Sequence, residues 1–175
     1  PRPSGAAWRD PMQPDVRQAG AMTELLSRAD LSFLLFDWLG VEDLCKREPF
    51  TEHDRTSIAQ VLDLARDVAC EQLLPCYAEL DRNEPAFEDG RAVLPEATHR
   101  AVAAVAESGL TWAAMPASLG GSDLPLIVLT AATAWLQAAN VAAVAYPFLT
   151  LGAANLLRAH GSPEQVTAYV LPMIA

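Results

Sequence analysis

The chain has 175 residues, 51% of them hydrophobic and 19% charged, with 12 basic against 22 acidic side chains and a formal charge of -10. This length supports one domain, or one and a tail, and the apolar content excludes wholesale disorder and a small disulfide-stapled scaffold. The acidic balance excludes a surface built to neutralise phosphates, so nucleic acid is not an expected partner. Three cysteines, Cys45, Cys70 and Cys76, lack the paired short spacings of a zinc site and read as reduced packing residues of a cytoplasmic protein.

In chain order, residues 1–21 carry prolines and charges of both signs without a continuous apolar stretch, so no secretory signal is visible. They read as a disordered leader or a vector-derived tail, with helical character expected from Met22. Leu31-Ser-Phe-Leu-Leu-Phe-Asp-Trp-Leu39 predicts a short helix stopped by Gly40, and residues 22–50 together read as an N-terminal helical extension. From residue 51 the period becomes helical: Ile58, Val61, Leu62, Ala65, Val68, Ala69, Leu73, Cys76 and Tyr77 recur at steps of three and four. Thr51 is the expected N-cap, with Asp54 as the capping-box acid, and Pro75 is expected to kink or end the helix.

Residues 82–94 contain the turn dipeptide Asp89-Gly90 and no sustained period, which predicts a loop. A second helix is expected from Pro95 to Gly109, with Ala101, Val102, Val105 and Ala106 on its apolar face and His99, Arg100 and Glu107 on its polar face. Residues 115–125, with Gly120 and Gly121, read as a helix-to-helix connector, because a phosphate loop would need a glycine fingerprint or a following Lys that this segment lacks.

From Leu124 to Leu157 no side chain is charged, and about 20 apolar residues are enough to span a bilayer. The run is nonetheless rich in alanine, carries six Thr, Gln or Asn side chains and is interrupted by Pro147. It reads as two buried helices, 124–137 and 146–160, joined through an irregular 140–145 segment, and not as a membrane span. Gly161-Ser-Pro-Glu-Gln165 then supplies a Ser N-cap, Pro at the first helical position and Gln at the third, with Val166, Tyr169, Val170 and Met173 on one following face. An apolar Leu-Pro-Met-Ile-Ala ending is the kind expected where a longer design continues.

His53, His99 and His160 are each isolated, and no serine lies in a nucleophile-elbow context, so neither a metal site nor a hydrolase triad is expected. Residue chemistry alone therefore gives an all-α domain without a self-contained active site. That description suits a part of a larger enzyme and equally a stand-alone helical module that binds a ligand or another protein.

The order of motifs adds to this. Leu74-Pro-Cys-Tyr-Ala-Glu-Leu-Asp81 ends the first long helix, and Glu107-Ser-Gly-Leu-Thr-Trp112 ends the second. Pro116-x-x-x-Gly-Gly-Ser-x-Leu-Pro125, His160-Gly-Ser-Pro-Glu-Gln165 and Tyr169-x-Leu-Pro172 follow. This succession resembles the N-terminal α-helical domain of acyl-CoA dehydrogenases over residues 31–175, with 51–175 as the domain proper. The Leu34-Leu-Phe-x-x-Leu-Gly40 segment is similar to the additional helix of larger members, the group that includes methylmercaptopropionyl-CoA dehydrogenases.

The resemblance implies an all-α helical bundle and an FAD-dependent α,β-dehydrogenation of an acyl-CoA thioester to a 2-enoyl-CoA. It implies that middle and C-terminal domains supply most flavin contacts and the catalytic base, leaving this chain inactive alone. It further implies electron-transfer flavoprotein or a similar acceptor as partner, and a homo-oligomer when complete. The residues that the resemblance assigns to one wall of the acyl pocket are Ala145, Tyr146, Phe148, Leu149 and Gly152.

Overall fold

The computed structural model describes residues 24–174. The expected leader and Met22 itself lie outside those residues, whereas residues 24–27, within the stretch expected to be helical, are not helical. The first helix, α1 (Arg28–Ser32), is capped by the Ser27 side chain, which accepts from the Asp30 amide, and it continues as a π-helical turn over Phe33–Trp38. Gly40, at φ +59°, stops this segment as expected, and α2 (Val41–Leu44) follows. Leu35, Phe36 and Val41 are buried in the same core as the later helices. At the seam with α3 (Arg55–Asp67), Arg28 Nε donates to Asp63 Oδ1 at 3.1 Å and Arg55 Nη1 to Glu42 Oε2 at 2.8 Å, with Arg55 over the Phe36 ring. These partly exposed pairs orient the seam, while the three buried side chains supply most of its stability.

α3 begins later than the expected Thr51 cap. Asp54 holds the extended conformation of an N-cap; its Oδ1 accepts from the Ser57 amide at 2.7 Å, and its own amide donates to Ser57 Oγ at 2.9 Å. A short carboxylate at the cap satisfies orphan amides and meets the positive end of the helix dipole, which a threonine three residues upstream cannot do. Ile58, Leu62 and Ala65 are buried along α3, as the period predicts. A π turn over Val68–Leu73 and a 3₁₀ turn over Leu74–Cys76, containing Pro75, lead into α4 (Tyr77–Arg82). Those changes of pitch shift the stripe, so that Cys76 stays buried while Tyr77 faces solvent.

The segment expected to be loop contains a small antiparallel hairpin, β1 (Ala86–Glu88) and β2 (Arg91–Val93), with Phe87 opposite Ala92. Asp89 and Gly90 both take positive φ, 48° and 78°, the turn geometry that matches strand twist. Both strands are wholly exposed, so no buried alternation marks them in the sequence.

α5 (Glu96–Glu107) buries Ala97, Thr98, Ala101 and Val105, whereas Ala106, expected on that face, is exposed. A short 3₁₀ turn at Leu110–Trp112 precedes the connector and another, Ala117–Leu119, lies within it. His53 Nε2–H donates to the Ser122 carbonyl at 2.7 Å and fastens this connector to the start of α3. α6 (Leu126–His160) is the central element, packing on α3 and α5 and carrying the buried Trp135. Finally α7 (Pro163–Gln165) opens with the expected Ser162–Gln165 capping box and runs through a π turn, Val166–Val170, into α8 (Leu171–Ile174). Val170 joins Met115 and Ala154 in a second small cluster, while Tyr169 points outward. The architecture is all-α apart from the hairpin.

Candidate functional site

α6 is two helices joined at a bend. Asn140, at φ −164° and ψ 85°, is the one non-helical residue inside it, leaving arms 126–139 and 141–160. The break therefore falls at the start of the irregular segment expected from the sequence. Pro147, read there as the interruption, instead lies within the second arm, where its missing N–H costs one backbone bond without ending the helix. The Asn140 side chain does two things at once. Its Oδ1 accepts from the Ala143 amide at 3.1 Å, an N-cap for the second arm, and its Nδ2 donates to the Leu73 carbonyl at 3.4 Å, anchoring the bend to the end of the π turn after α3. It is 1% exposed, a buried amide with partners for both ends.

Both arms line an apolar pocket of about 180 Å³. The first arm contributes Leu126, Leu129, Thr130, Thr133, Leu136 and Gln137; the second contributes Val144, Pro147, Phe148 and Leu151. Val105, Leu110 and Thr111, from the end of α5 and the turn after it, complete the wall. Steps of three and four put each arm's contribution on a single helical face.

Little polarity is left free inside. Thr130 Oγ1 donates to the Leu126 carbonyl and Thr133 Oγ1 to the Leu129 carbonyl, both at 2.8 Å, while Thr111 Oγ1 is buried without a partner among the described residues. None of the lining side chains ionises. The site can bind an apolar group, but it holds no acid, base or nucleophile. Among the described residues no three His, Cys, Asp or Glu side chains cluster as metal ligands. The thiol of Cys45 is pushed up by burial and by the carboxylates of Glu42 and Asp54, which disfavours the reactive thiolate.

Of the five residues assigned to the acyl wall, Phe148 lines this pocket from its rim, 56% exposed. Ala145, Tyr146, Leu149 and Gly152 lie on the outward side of the same arm; Leu149 is 71% exposed and a Cβ added at Gly152 would touch nothing. The inward residues Val144, Pro147 and Leu151 were one step round the helix from those named. The first arm's share has a signal of its own, the spacing Leu126–Thr130–Thr133–Gln137, in which small hydroxyl side chains replace bulky ones on one face. α6 is long and apolar enough to cross a membrane, yet over half of its most apolar stretch is buried inside this domain.

Comparison with known proteins supplies the context for this pocket. The chain is 29% identical, over 140 residues, to 3-methylmercaptopropionyl-CoA dehydrogenase of Ruegeria pomeroyi (strain ATCC 700808 / DSM 15171 / DSS-3), an alignment covering 80% of this chain and 23% of that protein. The chain thus spans about a quarter of the length of the curated relative it matches. The family described as acyl-CoA dehydrogenase, N-terminal domain, matches residues 56–175, from the first turn of α3 onward, and the chain belongs to the acyl-CoA dehydrogenase family.

Proposed function

We propose that this chain is the N-terminal part of an FAD-dependent acyl-CoA dehydrogenase, in which the arms of α6 receive the acyl tail of a CoA thioester. The observation that carries this reading is an apolar, uncharged pocket lying within the segment that the family matches. Apolar walls with few convergent polar groups suit a hydrocarbon tail, whose transfer from water drives binding. A cavity of about 180 Å³ is on the scale of one that holds a six-carbon ring, and well below sites for larger ligands.

The same dimensions rule this pocket out as a flavin site. It is too small for a tricyclic ring with its ribityl phosphate, and it offers no set of polar donors to hold one. Bound FAD would supply the hydride-accepting chemistry of the α,β-dehydrogenation, and in this reading both the flavin contacts and the base come from the rest of the longer protein. The described residues bind and orient the tail and exclude water from it. Taken alone, the chain is inactive.

Ala145, Tyr146, Phe148, Leu149 and Gly152 remain the proposed acyl wall, with Phe148 turned to the pocket and the other four continuing the apolar surface outward. On this reading the outward face meets substrate and the middle and C-terminal domains. The relative named for 3-methylmercaptopropionyl-CoA acts on a CoA thioester, and the same substrate class is proposed here. An electron-transfer flavoprotein or similar acceptor, a homo-oligomeric state and a cytoplasmic location without membrane insertion belong to the same reading, as does residues 22–50 forming an extension to a 51–175 domain.

The test is the complete protein, assayed for flavin absorbance and for dehydrogenation across a series of straight-chain acyl-CoAs. Phe148→Ala removes a ring at the rim and should shift the kcat/KM ratio of long to short chains upward about tenfold, equivalent to about 1.4 kcal/mol. An unchanged ratio in an active, flavin-bound variant excludes Phe148 from the acyl wall, and a flavin-free complete protein overturns the dehydrogenase reading.

A further inference from the structure

The pocket lies at the bend of α6. Leu136 and Gln137 line it just before the bend, and Val144, Pro147 and Phe148 line it just after, so the direction of one arm relative to the other sets its width. One side chain supplies two hydrogen bonds at the bend, beside the packing of α6 on α3 and α5. Asn140 takes extended dihedrals, caps the Ala143 amide and reaches across 67 residues to the Leu73 carbonyl, all while buried. The surrounding sequence would otherwise favour a continuous helix, because Ala138, Ala139, Ala142 and Ala143 are the strongest helix-forming residue type.

We propose that Asn140 is a positioning residue for ligand specificity: by locking the angle between the two arms, it sets the size of group the pocket accepts. This rests on the pocket being the acyl site only for the identity of the ligand. The geometric argument applies to any apolar group that enters. Replacing Asn140 by alanine removes the cap and the anchor together and supplies a residue that propagates helix through position 140. Serine keeps a capping oxygen at the bend and so preserves its direction, although it is too short to reach Leu73. Glutamine conserves the amide but is a poor cap.

The experiment uses the complete protein and Asn140→Ala, Asn140→Gln and Asn140→Ser, each checked for cooperative melting. Two readouts are taken: affinity for 1-hexanol as a plain apolar probe, followed through the methyl resonances of Leu136, Val144 and Leu151, and kcat/KM across straight-chain acyl-CoAs. In the folded Ala and Gln variants hexanol should bind at least tenfold more weakly and the chain-length preference should move, while Asn140→Ser stays within threefold of the parent in both. A lowered melting temperature with probe affinity and chain-length profile unchanged would show a role in stability alone and overturns the proposal. Loss in the folded Ser variant equal to that in Ala overturns the capping account as well. Should Asn140→Ala fail to fold, the Gln and Ser pair makes the same comparison. If the parent turns over no acyl-CoA, the acyl-site reading fails by itself, and the hexanol series still decides whether Asn140 shapes the pocket.

Discussion

Asp54 shows how much a single cap can determine. Its carboxyl is held below the ordinary carboxylate range, chiefly by the hydrogen bond from the Ser57 amide and then by the Ser57 hydroxyl. A carboxyl that is more acidic in the folded chain than in the unfolded one stabilises the fold above its unfolded pKa, about 3.9 for Asp, and loses that contribution as pH falls through the folded value. Asp54→Ala should therefore lower the thermal midpoint at pH 7, and the gap between variant and parent should close as the pH is taken below 4. Melting curves at pH 7, 5 and 3 check this; a gap that widens toward acid would refute the sign. At Gly121 the surroundings restrict the residue more tightly. A Cβ there would overlap the backbone carbonyl of Met115, which cannot swing aside as a side chain can. Gly121→Ala should cost about 1–3 kcal/mol, the range for overpacking a closed site, measured by denaturant titration of the complete protein; a neutral result would mean the 115–121 turn can open without loss.

At the scale of elements, legibility tracks how local the cause is. The Ser162–Gln165 capping box lies within four residues and was readable, as was the buried face of α3, whose period is strict until the π turn at Val68–Leu73 changes the pitch. α3 starts three residues beyond the expected cap because Thr51 and Asp54 are both competent cap types, and only the observed backbone selects between them. The hairpin escaped because three-residue strands exposed on both faces leave no alternation to read. Pro147 is the breaker expected from the sequence, yet the bend lies at Asn140, where a contact to Leu73 supplies a partner far away in sequence. The pocket divides in the same way. Phe148 enters the reading through the family resemblance and not through periodicity, and Leu126, Thr130 and Val105 line the same pocket only through tertiary packing, which periodicity along one helix does not encode.

For the whole molecule the deciding balance is between apolar surface and charge. Val141, Phe148, Leu149 and Leu156 are each more than half exposed on the second arm of α6, and Leu126, at 69%, stands at the start of the first. Grouped apolar side chains of this kind mark surfaces that meet a partner, since each would gain by leaving water. Against association stands the net charge of -10, which makes two copies repel at low ionic strength. Salt screens that repulsion, with a Debye length of about 10 Å at 0.1 M shrinking to about 3 Å at 1 M, while apolar attraction is not weakened by it. The 175-residue chain made as a fragment should therefore sediment as a mixture of species whose weight-average mass rises with both protein and salt concentration. Leu149→Lys, which places a charge in the middle of the exposed face, should return it toward monomer without lowering its melting temperature, because the side chain packs on almost nothing within the domain. If, as proposed, further domains of a longer protein cover that face, the complete protein should show no such salt-driven growth. Sedimentation velocity at low and high salt on the fragment, its Leu149→Lys variant and the complete protein separates these cases. A fragment that stays monomeric at high salt would mean that the α6 face is stable in water and needs no covering domain.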